Sequence, residues 1–125
     1  VIIAAVVACL LLAALVAFQL ALAAGAPWGH LAWGGQNEGR LPGRLRLGSA
    51  VSVLLYAVFA VVALDRAGLV DVLPDGFTAV ACWVLAGYLT LGVLMNLASR
   101  SRAERLVMTP VAAALALCFL VLALG

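Results

Sequence analysis

Four runs of apolar residues, each close to the length a helix needs to cross a bilayer, dominate this chain: 1–24, 47–64, 77–98 and 106–124. A spanning helix takes roughly 20 such residues, because the hydrocarbon core is about 30 Å thick and each residue rises about 1.5 Å. The runs lack the alternation of barrel strands, and backbone groups in hydrocarbon must bond within their own segment. The fold class is therefore all-α: a four-helix membrane bundle running up-down-up-down, one domain over residues 1–125. Composition agrees, since 68% of the residues are hydrophobic and 10% charged, where a soluble domain carries about half and a quarter. An ordinary globular enzyme or a nucleic-acid-binding module is disfavoured. The first run reads as a mature span, because it has no basic n-region and exceeds the apolar core of a signal peptide.

The loops carry the charge. Loop one is Gly25–Arg46, loop two Asp65–Gly76 with a Pro74-Asp75-Gly76 turn signal, and loop three Ser99–Arg105. An up-down chain puts loops one and three on one face, with Arg40, Arg44, Arg46, Arg100, Arg102 and Arg105 against Glu38 and Glu104. The termini and loop two share the other face, with Arg66 against Asp65, Asp71 and Asp75. By the positive-inside rule loops one and three are cytoplasmic and both termini lie outside.

Small residues recur at every fourth position of the first run: Ala5, Cys9, Ala13, Ala17, Ala21 and Gly25. Such a stripe permits close helix approach, and Gln19 lies on the other side of the same helix. The third run repeats the device with Thr78, Cys82, Ala86 and Thr90, which makes the first and third helices candidates for direct contact. Gln19, Ser49, Ser52, Thr90 and Asn96 fall in the inner half, and Tyr56 and Tyr88 near the midplane. They form a polar track from the Arg-rich face, read either as a pocket open to the cytoplasm or as polar glue between helices.

Trp28 and Trp33, five residues apart in Pro27-Trp28-Gly29-His30-Leu31-Ala32-Trp33-Gly34-Gly35, suit the headgroup layer as interfacial anchors. The alternative is a lid whose indoles stack on a ligand. His30, the one imidazole, is a surface or hydrogen-bonding group, or else a proton-exchange partner of Glu38 or Glu104. No GK[ST] follows the glycines, so a phosphate-binding loop is not indicated. Ser101-x-x-Glu104 matches a capping box at the start of the fourth helix, and Arg100 and Glu104 are placed to pair across the turn. Read functionally, the same arginines and helix N-terminus favour an anion. Cys9, Cys82 and Cys118 have no metal-ligand or CxxC spacing and read as small packing residues. No metal and no cofactor is expected. No Asp, Glu, Lys, Arg or His falls within the four apolar runs, which argues against a proton-coupled multidrug exchanger of similar size.

Gly25-Ala26-Pro27-Trp28-Gly29 with Ala32-Trp33-Gly34-Gly35, Leu41-Pro42 with Arg44-Leu45-Arg46, and Asn96-Leu97-Ala98-Ser99-Arg100-Ser101 with Glu104-Arg105 and Pro110 together resemble a group of small bacterial four-helix membrane proteins. The resemblance spans nearly the whole chain and implies topology and a bacterial inner-membrane setting, with no activity attached. The leading expectation is a non-enzymatic protein that holds an anionic lipid or amphipathic ligand. Its candidate ligand-binding residues are Gln19, Trp28, His30, Trp33, Arg44, Arg46, Ser52, Tyr56, Asn96, Arg100, Arg102 and Arg105. The alternatives are an assembly subunit, forming a homo-oligomer or meeting a partner helix through the small-residue stripe, and a lipid-headgroup enzyme using His30 with Glu38 or Glu104.

Overall fold

The computed structural model describes residues 1–125 apart from the side chain of Asp75, so the charge expected of Asp75 lies outside the described residues. Four helices make up the bundle: α1 Ile2–Ala23, α2 Gly43–Arg66, α3 Asp75–Leu97 and α4 Arg102–Leu124. Two short 3-10 turns, Gly29–Leu31 and Trp33–Gly35, lie in the first loop. Each helix is long and apolar enough to cross a membrane, and their large apolar side chains point outward, as with Leu54, Met95 and Leu124. The chain is a small polytopic membrane protein with four candidate spans.

Two helices start earlier than the apolar runs. α2 begins after Pro42, and α4 begins after Ser101, whose Oγ accepts from the Glu104 amide at 3.2 Å. A helix can extend past the apolar stretch because charged side chains in its first turn reach the interface. Arg44, Arg46, Arg102, Glu104 and Arg105 are therefore helical.

Neighbours pack antiparallel around a ring, α1 on α2 and α4, and α3 on α4 and α2. The expected packing of α1 on α3 does not form; they sit diagonally across the bundle. Geometry explains the correction. Positions four apart advance about 400°, so a strict four-residue stripe drifts about 40° at each step around a straight helix. The stripe accordingly starts buried at Ala5 and is exposed by Ala13 and Ala17. The inward seam of α1 alternates steps of three and four instead: Ala5, Ala8, Leu12, Leu15, Gln19 and Leu22 are all buried or half-buried. Comparable seams run along α2 (Ser49, Ser52, Tyr56, Phe59, Ala63), α3 (Thr78, Cys82, Leu85, Leu89, Gly92, Asn96) and α4 (Glu104, Met108, Val111, Leu115, Cys118, Leu122).

The two ends of the bundle differ. Near the termini, Ala5, Ala8, Ala63, Cys82 and Ala123 bring the helices close around Phe119 and Leu122. Since lipid supplies little hydrophobic drive between helices, this close van der Waals contact is what holds them. The second loop is fastened by polar bonds: Asp65 Oδ2 accepts from the Val72 and Leu73 amides, both at 2.8 Å. Arg66 Nε donates to the Leu122 carbonyl at 2.8 Å, and its Nη2 to Ala123, satisfying the C-terminus of α4. At the other end the seams carry Gln19, Ser49, Ser52, Asn96 and Glu104, and there the bundle is hollow.

Candidate functional site

A cavity of about 540 Å³ occupies the hollow end. Its floor is Leu15, Tyr56, Leu89 and Leu115, and its polar wall is Gln19, Ser52, Asn96 and Glu104. The first loop roofs it with Leu31 to Gly34 and Gln36. Five of the expected residues therefore meet at one site: Gln19, Trp33, Ser52, Tyr56 and Asn96.

The roof is fixed by close approach to α2 and α4. Trp33 Nε1 donates to the buried Ser49 Oγ at 3.2 Å. Its indole lies over Gly48, where a Cβ would come within 2.9 Å of the ring, so a glycine there is a steric requirement. Trp33, Gly34 and Gly35 all adopt positive φ, at 54°, 75° and 72°. For tryptophan that conformation is strained and persists because the surroundings hold it. The Arg100 amide donates to the Gly34 carbonyl at 3.0 Å, joining the first loop to the third. Trp28 has a different place: it stacks parallel on Phe18 at 6.3 Å and is 44% exposed, outside the cavity lining. His30 is half-buried and also outside the lining. Among the described residues it makes neither a side-chain hydrogen bond nor an ion pair, so the expected partnership with Glu38 or Glu104 is not formed.

The arginines ring the site without entering its lining. Arg46 Nε donates to the Ala23 carbonyl at the end of α1, at 3.0 Å. Arg105 Nη1 donates to the Ser99 carbonyl just past α3, at 2.6 Å. Cations at helix C-termini complement the dipole and the unsatisfied carbonyls. Arg44, Arg100 and Arg102 are exposed. Arg100 does not pair with Glu104, contrary to the sequence expectation.

Glu104 is the residue that the sequence reading placed wrongly. The Ser101 half of the capping box forms, but the Glu104 half does not, because Ser99 Oγ accepts the Ser101 amide at 3.1 Å. The Glu104 side chain turns inward instead, is 5% exposed and lines the cavity. Its Oε2 has no hydrogen-bond partner, and the residue forms no ion pair among the described residues. The seam 104, 108, 111, 115, 118, 122 is the signal that could have found it, once α4 is started at Arg102. Tyr88, Leu91 and Met95, missed except for Tyr88, also line the cavity although they are 55%, 55% and 67% exposed. They lie on the flank of α3 away from the α4-facing Trp83, Ala86, Gly87 and Thr90. The cavity thus reaches the lipid-facing surface on the α2 side of α3, below Trp33.

Chemically, the arrangement is a partly open chamber with apolar and aromatic walls and a small set of hydrogen-bonding groups, the usual make-up of a small-molecule site. The described residues contain no group of three or more His, Cys, Asp or Glu side chains placed to hold a metal ion. No protein-family model, no curated protein and no solved structure matches the chain.

Proposed function

We propose that this protein binds an amphipathic molecule drawn laterally from the membrane, without transforming it. The observation that carries this reading is the cavity of about 540 Å³ that is polar at its inner end and reaches the outer surface past Tyr88, Leu91 and Met95. An amphipathic ligand matches both properties, with its tail toward the opening and its polar end among Gln19, Ser52, Asn96 and Glu104. The six arginines of loops one and three support a cytoplasmic orientation of this end, and the proposed setting is the bacterial inner membrane that the sequence resemblance implies. Anionic lipid headgroups then gather at the exposed Arg44, Arg100 and Arg102, each contributing about 1 kcal/mol of attraction. A catalytic reading with His30 as acid or base is less well supported, because His30 lies outside the cavity lining.

A photoreactive diazirine amphiphile tests the cavity. It is expected to label Tyr88, Leu91 or Met95, and Gly92→Leu, which fills the chamber from α3, is expected to suppress that labelling. Labelling spread evenly over the outer helix faces and indifferent to Gly92→Leu would defeat the proposal. The rim is tested separately: Arg100→Gln with Arg102→Gln should reduce retention of anionic lipid in native mass spectrometry.

Assembly through the small-residue stripe is a second reading, favoured by the outward placement of Ala13 and Ala17. Co-purification of a second copy or a partner chain that is lost in Ala13→Leu with Ala17→Leu is the outcome it requires.

A further inference from the structure

We infer that the cavity takes the cationic end of an amphipathic amine, seated against Glu104; this rests on the binding reading above and names the charge of the ligand. A buried charge is costly unless it is paired. Glu104 is 95% buried by its 5% exposure, lines the cavity, and has neither a hydrogen-bond donor to Oε2 nor an ion-pair partner among the described residues. The local basic residues are committed elsewhere or turned out: Arg105 donates to the Ser99 carbonyl, and Arg100 and Arg102 are exposed.

A second observation points the same way. Gln19 Oε1, on the same polar wall, is also buried without a donor, while the rest of the Gln19 amide is held by a hydrogen bond with Tyr56. The unpartnered Glu104 oxygen calls for a ligand that donates, since buried polar atoms are nearly always paired. A protonated amine supplies the opposite charge and several N–H donors together. A carboxylate or phosphate would supply neither and would face Glu104 as a like charge. The remaining walls suit a cation as well, because Phe18, Trp33, Tyr56 and Tyr88 line the same space and aromatic faces attract ammonium groups. A chamber of about 540 Å³ is far larger than a bare inorganic cation needs, so an organic ammonium carrying an apolar tail is the class that fits.

The test compares 4-phenylbutylammonium, 4-phenylbutanol and 4-phenylbutyrate, which share a tail and differ in the charge of the end group. Each is titrated by calorimetry into the protein in maltoside micelles, with protein-free micelles as the blank. The ammonium should bind about tenfold or more tightly than the alcohol, as expected for a charge-assisted contact, and the carboxylate most weakly. In Glu104→Gln the preference for ammonium over alcohol should collapse to within about twofold, since the remaining contacts are not charge-assisted. Should that variant fail to fold, the ammonium-to-alcohol ratio of the unaltered protein decides, together with Gln19→Leu, which should lower that ratio. Equal affinity for all three probes, or a preference for the carboxylate, overturns the amine assignment and leaves the cavity reading standing. A preference that survives Glu104→Gln overturns the seat. Absence of binding by every probe removes the cavity reading and this inference with it.

Discussion

Ser99 directs the Glu104 carboxylate. In a complete capping box the acidic side chain would reach back to the amide of the N-cap residue, but Ser99 Oγ already accepts the Ser101 amide. With that donor taken, the carboxylate turns inward to the cavity. Glu104→Gln should therefore raise the melting temperature of the ligand-free protein, because it removes an unpaired buried charge; a lowered melting temperature in scanning fluorimetry would show that the carboxylate has a stabilising partner. Ser49→Ala removes the acceptor of the Trp33 indole and should cost about 0.6 kcal/mol, the usual worth of a polar contact in a membrane bundle. Its clearer signature is increased quenching of tryptophan fluorescence by aqueous acrylamide as the roof loosens. Spacing alone places Ser49 on the polar track, but it does not show that Ser49 holds the Trp33 indole or that Glu104 faces the cavity. Ser101-x-x-Glu104 satisfies a local rule, and only the competing hydroxyl at Ser99 shows which half of that rule is obeyed.

At the level of helices, inward seams and outward faces predict opposite responses to the same change. Ala8→Leu or Ala63→Leu inserts bulk where both positions are wholly buried, and overpacking of this kind typically costs about 1–3 kcal/mol. Ala13→Leu or Ala17→Leu, on the exposed side of α1, should leave the unfolding midpoint of the isolated protein in detergent unchanged. The contrast is measurable by urea or dodecyl sulfate titration. The seams are present in the sequence as alternating steps of three and four, whereas the small residues at every fourth position trace a line that leaves the interface after two turns. Spans were legible within a few residues because hydropathy alone sets them. Their beginnings at Gly43 and Arg102 were not, because the first turn of a membrane helix tolerates charge.

Across the whole molecule, the bundle is closed at the end with the termini and open at the end with loops one and three. A cysteine at Val70 should react with a membrane-impermeant maleimide in intact cells, and one at Gly39 should not, if the arginine-rich end faces the cytoplasm. The native thiols will not obscure the result, since Cys82 and Cys118 are buried and Cys9 lies half-buried within α1. Reversed labelling would invert the orientation while leaving the cavity intact. Four apolar runs are enough to specify the number of spans and their helical nature, because both follow from the cost of placing backbone and charge in hydrocarbon. Which helices adjoin, where space is left between them, and that an acidic side chain faces that space all depend on how four seams interlock. Those outcomes arise from residues distant in the chain meeting in space, such as Gln19 and Glu104 in one chamber and Trp33 over Gly48, and a seam in the sequence shows that a residue faces inward without showing what it meets.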